Sequence, residues 1–129
     1  MKFIEEIYRI LKQLFFLPKH LTNFLFGTFY YDNFLAKSKT KHSGSLPMKK
    51  KIVIFLIFPD CGLTNSHLRT LKYFIRNNFT PLIVSNLPLS KEDKILLLEN
   101  CWTLIERPNY GSDIGGYRDG VLFLSKKIR

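Results

Sequence analysis

The pattern of hydrophobic and polar positions divides the chain into a helical front part and an alternating strand–helix part. Over residues 3–17, apolar side chains recur at helical spacing and charged ones take the opposite face, which predicts an amphipathic helix. Pro18 is expected to end that helix. A second apolar segment, over 21–35, is rich in Phe and Tyr and carries one acid, Asp32. We therefore predict an amphipathic helical leader over 1–36.

A polar stretch without periodicity follows the leader. Residues 37–48 (KSKTKHSGSLPM) are dominated by Lys, Ser, Thr, Gly and Pro, which predicts a linker and a domain over 49–129. In that domain, 51–58 is an apolar run rich in β-branched residues, typical of a strand buried on both faces of a parallel sheet. Further strands are predicted over 80–85 and 102–106.

Helical patterns separate these strands. One helix is predicted from about 65 to 78, a short one is capped by Ser90, and a third covers about 116–127. The order β-α-β-α-β-α predicts right-handed crossovers and an open parallel sheet, hence an α/β fold. Three strands would form half of a Rossmann-like sheet, so the domain is interpreted as the first half of a larger nucleotide-binding fold.

Composition excludes several classes of protein. With 46% hydrophobic and 23% charged residues, the chain is not a disordered tail or a low-complexity linker. The longest apolar run, 52–58, is far shorter than the ~20 residues of a membrane span. Charged residues interrupt the N-terminus, which argues against a secretory signal. Cys61 and Cys101 cannot form a disulfide scaffold, so we expect reduced thiols and a cytoplasmic protein.

The net charge of +10 is uneven along the chain. Residues 1–51 carry ten basic and three acidic side chains (+7), and 52–129 carry ten and seven (+3). A basic front half favours an acidic partner: lipid headgroups, nucleic acid or a phosphate-bearing ligand. Nucleic acid is disfavoured because the aromatic residues lie in apolar stretches rather than between Arg and Lys. The leader has two interpretations: a helical pair packed on the main domain, or a peripheral contact of 1–35 with the inner face of the cell membrane.

Candidate chemistry lies in the loops that follow the strands. In open α/β sheets, ligands bind beyond the carboxyl ends of the strands. Three loops satisfy that description, at 59–65, 85–89 and 107–116. The third is the most distinctive, because 107–120 (RPNYGSDIGGYRDG) holds four of the seven glycines of the chain.

This glycine-rich loop has the features of an anion site. Gly111 is free to take a positive φ, and Asp113 can cap the helix that follows. Two glycines would leave first-turn amides open to an anion, and two arginines would add charge for a diphosphate. These residues are Gly115, Gly116, Arg107 and Arg118. The alternative is a turn and a glycine-softened helix start that bind no ligand.

The loop resembles the signature of the rhamnan synthesis protein F family, bacterial enzymes of cell-surface polysaccharide assembly. That signature reads Arg-x-Asn-x-Gly-x-Asp-hydrophobic-Gly-x-Tyr-Lys/Arg-x-Gly. The matching positions are Arg107, Asn109, Gly111, Asp113, Ile114, Gly115, Tyr117, Arg118 and Gly120. The resemblance covers 49–124, including the strand that ends in Ser85-Asn86, and does not extend to the leader.

The resemblance implies a glycosyltransferase with a GT-A-type domain. The donor would be a nucleotide diphosphate sugar, such as an activated deoxyhexose, and the acceptor a glycan or a lipid-linked glycan of the cell envelope. In this interpretation Asp60, Ser85 and Asn86 line the base and ribose pocket, and Arg118 faces the phosphates. The loop that completes the donor site is shaped by Arg107, Asn109, Gly111, Asp113, Gly115 and Tyr117.

One departure from the implied enzyme concerns the metal. Enzymes of this fold commonly hold Mg²⁺ or Mn²⁺ with an Asp-x-Asp element, which is absent from these residues. No metal is expected within this chain; Mg²⁺ or Mn²⁺ is expected only with a further C-terminal part. Cys61, His67 and Cys101 lack a recognised zinc spacing. The chain is therefore interpreted as the truncated donor-binding part of an enzyme, without assigned catalytic residues. The alternative is a non-catalytic remnant or nucleotide-binding module.

Overall fold

The computed structural model describes the backbone of residues 2–129 and the side chains of 4–13, 26–27, 29–111 and 113–129. The chain forms two compact units, Met1–Lys37 and Ser38–Arg129.

The first unit contains one long helix, α1, over Lys2–Asn33. The prediction that Pro18 ends the helix is wrong, because α1 continues through that position. A proline disfavours the interior of a helix without excluding it, because it removes only one main-chain hydrogen bond and crowds one turn. A 3-10 turn, Leu35–Ser38, follows. Among the described residues, no helix combines the length and the hydropathy needed to cross a membrane.

The second unit is an α/β domain, which confirms the α/β class predicted from the sequence. Its sheet has four strands in the order β1-β4-β3-β2. β2, β3 and β4 pair in parallel, and β1 pairs antiparallel with β4, so the sheet is mixed. The elements are β1 (Thr40–Ser43), β2 (Ile52–Ile57), α2 (Asn65–Arg76), β3 (Thr80–Ser85), α3 (Lys91–Glu99), β4 (Thr103–Glu106) and α4 (Ser112–Ile128).

β1 corrects the prediction of a linker over 37–48 and of a three-stranded sheet. Its register sets Thr40 opposite Glu106 and Ser43 opposite Thr103. Gly44 then packs so closely on the Cys101 carbonyl that a Cβ would overlap it. Because main-chain pairing holds this edge strand and its side chains are largely polar and exposed, it leaves no hydrophobic pattern in the sequence.

Local signals define where two of the helices begin. Thr64 caps α2 in a reciprocal capping box, in which its side chain accepts from the His67 amide and the His67 ring accepts from the Thr64 amide. The Ser90 hydroxyl caps α3 by accepting from the Asp93 amide at 3.1 Å. Satisfying these otherwise unpaired amides fixes the helix starts.

The core lies on both faces of β3, all six residues of which are buried. On one face, α2 and α3 contribute Leu71 and Leu97 to a buried cluster with Ile83. On the other face, α4 covers a second cluster around Leu82 and Val84. The result is a three-layer arrangement in which the carboxyl ends of the parallel strands share one edge.

Candidate functional site

A pocket of about 380 Å³ lies at the carboxyl ends of β3 and β4. Two of the three predicted loops, 85–89 and 107–116, contribute to its lining, and 59–65 does not. Antiparallel β1 closes one side, so the strand that sequence reasoning missed is part of the site. The lining residues are Ser38, Thr40, Asn86, Leu87, Pro88, Glu106, Arg107, Pro108 and Asn109.

Arg107 supports the wall of this pocket from inside the protein. Its side chain is fully buried. Nε donates to Asp119 Oδ2 at 2.7 Å, Nη1 to Asn86 Oδ1 at 2.6 Å, and Nη2 to the Tyr110 carbonyl at 2.5 Å. These three acceptors lie on α4, after β3 and in the glycine-rich loop. One planar guanidinium therefore fixes three separate segments, a geometry that lysine cannot reproduce.

Asp119 is the buried acid that this arrangement requires, and sequence reasoning missed it. Its side chain is 1% exposed, and Oδ1 accepts a second charged bond, 2.9 Å from Lys39 Nζ. A buried carboxylate is tolerated only when paired and hydrogen-bonded. The sequence did contain a signal for a buried acid. Asp119 adjoins Gly120 and lies three residues after Gly116, which places it on the face of α4 turned toward the sheet. An acid on that face needs a cation as its partner.

A second charged cluster centres on Glu106, the last residue of β4. Glu106 Oε1 lies 2.6 Å from Lys94 Nζ and 3.0 Å from His42 Nε2, and Oε2 accepts from the Leu89 amide at 3.2 Å. Burial alone would raise the pKa of Glu106. The hydrogen bonds from Lys94, Leu89 and His42, together with the Lys94 charge, outweigh burial and hold that pKa below its ordinary value. The carboxylate therefore stays ionised beside the pocket.

This cluster also escaped sequence reasoning. His42 reaches Glu106 only because β1 pairs with β4, and Lys94 comes from α3. The available signal was an acid at the end of an otherwise apolar strand, at the sheet edge where ligands bind.

The residues predicted to line a base and ribose pocket separate into two groups. Ser85 and Asn86 are buried at the end of β3; the Ser85 hydroxyl donates to the Leu87 carbonyl at 2.6 Å, and Asn86 binds Arg107. Asp60 is exposed after β2, where its carboxylate accepts from the Cys61 amide at 2.9 Å. The structure thus brings Asn86 to the pocket and leaves Asp60 away from its lining.

The glycine-rich loop begins as predicted, with Gly111 at φ 75 in the left-handed region. The helix behind it starts at Ser112 rather than near Gly116, and Gly111 itself is the N-cap. The prediction that Asp113 caps the helix is therefore wrong, since no side chain makes the cap hydrogen bond. Asp113 lies in the first turn, where its charge favours the helix dipole.

The other loop glycines make room for protein atoms. A Cβ on Gly115 would lie 2.6 Å from the Tyr110 carbonyl oxygen and 3.0 Å from Arg107 Nη2. Gly115 N donates to the Gly111 carbonyl, and Gly116 packs directly on Leu56. The prediction that these two positions leave amides open for a phosphate is wrong, because they lie inside the helix and against packed neighbours.

Three further predicted residues have different surroundings. Asn109 is exposed and lines the pocket. Tyr117 is 48% exposed on α4, and Arg118 is half-buried there; neither lines the pocket. Asn109 is thus the motif residue best placed to contact a ligand in the pocket.

Metal-ligating residues do not converge in the part of the chain that the structure describes. No group of three or more His, Cys, Asp or Glu side chains there is arranged to hold an ion. Cys61 is exposed, whereas Cys101 is buried, and burial raises the pKa of its thiol to about 12. Cys101 therefore stays protonated and unreactive at neutral pH.

Comparison with known proteins gives one informative similarity. No family model matches the chain, and no solved structure matches it. The chain is 33% identical over 125 residues to the uncharacterized protein y4gN of Sinorhizobium fredii (strain NBRC 101917 / NGR234). The alignment covers 95% of this chain and 33% of the relative. The chain thus spans about a third of that protein, and the similarity includes residues of both compact units.

Proposed function

We propose that the Ser38–Arg129 unit is a glycosyltransferase-like domain that binds a nucleotide diphosphate sugar, as in the rhamnan synthesis protein F family. The observation that carries the proposal is the pocket at the carboxyl ends of β3 and β4. This is the edge at which α/β sheets bind nucleotides. The motif resemblance supplies the class of ligand, and the pocket supplies a place for it.

The pocket has a suitable size and lining for the nucleoside end of such a donor. Small-molecule sites typically measure about 300–1,000 Å³, and this one measures about 380 Å³. Apolar Leu87, Pro88 and Pro108 offer surface for a flat ring, while Asn109 offers an amide for hydrogen bonding. The ionised Glu106 carboxylate lies next to this surface. It would accept hydrogen bonds from hydroxyl groups of a ligand and repel a ligand anion.

The buried network assigns different roles to the two arginines of the motif. Arg107 is committed to Asp119, Asn86 and Tyr110, so in the proposal it positions the pocket wall. Arg118 is half-buried on α4 and lies outside the pocket lining, and its role toward the diphosphate in the proposal comes from the motif resemblance. Binding in this proposal uses protein side chains and main-chain groups alone.

A second part of the proposal concerns α1. We propose that residues 1–35 lie on the inner, anionic face of the cell membrane, close to a lipid-linked glycan acceptor. Ile4, Tyr8 and Leu11 recur at helical spacing on α1 and are each more than half exposed. An exposed apolar stripe on a helix with a basic surrounding sequence is the pattern of an interfacial helix.

An alternative function is a nucleotide-binding module without transfer activity. The observation that favours it is the absence of Asp-x-Asp from the sequence, together with the lack of a three-ligand cluster in the described part of the chain. Both candidates bind nucleotide at the same pocket. Incubation with nucleotide diphosphate sugars and analysis for released nucleoside diphosphate separates them, since only a transferase turns the donor over.

Binding calorimetry with UDP, dTDP and GDP tests the shared part of the proposal. We expect one of these nucleotides to bind the wild type, and Asn109→Ala to weaken it two- to tenfold, roughly the loss of one neutral hydrogen bond. Asn65→Ala, an exposed change at the start of α2, is the matched control and is expected to leave affinity unchanged. Failure of all three nucleotides to bind at millimolar concentration would contradict the proposal.

A further inference from the structure

One of the two edges of the sheet, formed by β2, has unusual properties and is not used by the proposed nucleotide site. β2 pairs with β3 on one side, and no described strand pairs with its other side. Lys51 and Ile57 carbonyls accept from Thr80 and Asn86. Because main-chain groups alternate along a parallel ladder, the odd-numbered residues of β2 face β3. The N–H and C=O groups of Ile52, Ile54 and Leu56 therefore face outward.

The strand β2 itself carries none of the charged or proline residues that usually discourage further pairing at a sheet edge. Edge strands are usually short and carry charges, proline or a bulge. The opposite edge, β1, follows that rule with four polar residues, TKHS. β2 reads IVIFLI, and five of its six residues stay partly exposed while the neighbouring β3 is entirely buried. An apolar strand with free main-chain groups is a template for another strand.

The residues that flank β2 extend this surface and give it polarity. Met48 before the strand is 44% exposed, and Phe58 after it is 47% exposed. Lysines occupy 49–51 at the start of β2, and Asp60 follows its end. The edge is therefore basic at one end, apolar along its length and acidic at the other end, so it is complementary to itself when reversed.

We propose that two copies of this chain pair through β2 in antiparallel orientation and form one continuous eight-stranded sheet. The register that pairs all three outward-facing residues places Ile54 opposite Ile54 of the second copy and Ile52 opposite Leu56. Residues just beyond the two ends of β2 are then brought near one another, so Phe58 of each copy approaches Lys50 of the other. Such a two-fold, self-complementary contact closes on itself and leaves no open apolar edge.

Sedimentation velocity across a dilution series tests the assembly directly. The full chain is expected to sediment as a dimer of twice the 15.2 kDa monomer and to dissociate on dilution. Amide hydrogen exchange then identifies the surface. Protection at Ile52, Ile54 and Leu56 is expected to rise with the dimer fraction, while Val53 and Phe55, which face β3, stay protected throughout. A monomer at every concentration, or a dimer whose three outward amides exchange freely, would overturn the proposal.

A pair of substitutions at one position tests the register. Phe58→Lys places a lysine near Lys50 of the other copy, and Phe58→Glu removes the same aromatic ring but places an acid there. Since opposed like charges weaken and opposite charges strengthen cross-strand pairs, the two variants are expected to differ about tenfold in dimer affinity, with Lys the weaker. Tyr73→Lys, at an exposed position on α2, controls for added charge. Equal affinities for the two Phe58 variants would contradict this register.

Discussion

At the scale of single residues, the buried guanidinium of Arg107 has the widest structural influence, because it joins three segments that meet only at the pocket. The same side chain opens the glycine-rich stretch 107–120, which the sequence singles out as a candidate ligand loop. Its partner Asp119 is visible only once α4 packs on the sheet. The residue was thus predictable, whereas its buried ion pair depended on tertiary structure.

Replacing Arg107 by methionine should destabilise the domain strongly. Removing one member of a buried ion pair costs about 3–5 kcal/mol, because the other charge stays buried and less well compensated. Asp119 keeps its bond from Lys39, so we expect a loss near the lower figure in urea unfolding. The double variant Arg107→Met/Asp119→Leu should recover part of the loss, since the uncompensated charge is gone. Near-wild-type stability of Arg107→Met alone would be inconsistent with this network.

Glu106 should make stability depend on pH in the acid range. Its folded-state pKa is lowered, so its contribution is present above the ordinary pKa of glutamate and is lost as pH falls through the folded-state value. Glu106→Gln cannot titrate, and its unfolding free energy should fall less steeply with acid than that of the wild type. Glu99→Gln, an exposed charge removal on α3, serves as control. Parallel pH profiles for wild type and Glu106→Gln would refute this role.

At the scale of elements, α4 owes its position to the small residues on its sheet-facing side. A Cβ on Gly120 would lie 2.8 Å from Ile54 Cγ2 and 3.4 Å from Val84 Cγ2. The methyl group of a β-branched residue cannot move far, because χ1 is restricted. Alanine at this position must therefore push α4 away from β2 and β3.

Gly120→Ala is accordingly expected to destabilise the domain although alanine favours helices. Overpacking typically costs about 1–3 kcal/mol, against a gain in helix propensity of up to about 1 kcal/mol, so a net loss should appear in thermal melts. Ser125→Ala, on the exposed side of the same helix, should change stability little. A stabilised Gly120→Ala protein would show that the helix–sheet contact is looser than described.

The α1 helix makes a separate prediction about membranes. Vesicles of anionic lipid should bind the full chain at low salt, and binding should weaken as salt rises, because screening reduces the attraction of exposed charges. Ile4→Glu/Leu11→Glu, which adds charge to the exposed apolar stripe, should reduce binding in vesicle co-sedimentation. Neutral vesicles provide the control surface. If equal fractions of wild type and variant sediment with anionic vesicles, the proposed membrane contact is excluded.

At the scale of the whole molecule, the apolar strands were predictable, whereas the polar edge strand β1 and the charged clusters were not. Continuous apolar runs identified β2 and β3; β3 is entirely buried, as expected of a central strand, and β2 is partly exposed at the sheet edge. β1 is held by its main chain and left no such pattern. The start of α4 at Ser112 depends on the positive φ of Gly111. A glycine can adopt that φ, but the sequence alone does not require it to. The location of the pocket at the strand ends was predictable from the sequence. The charged clusters around Glu106 and Arg107 could be recognised only from the assembled sheet.

The most direct measurement of the central claim is an amide chemical-shift titration of the full chain with a nucleotide diphosphate sugar such as UDP-glucose or dTDP-rhamnose. We predict saturable shifts concentrated at Asn86, Leu87, Arg107 and Asn109, the pocket positions on the two loops that carry main-chain amides. The same titration with the free sugar should leave these amides unchanged. Saturable shifts elsewhere in the chain, or none for any nucleotide diphosphate sugar at millimolar concentration, would contradict a donor site at the carboxyl ends of β3 and β4.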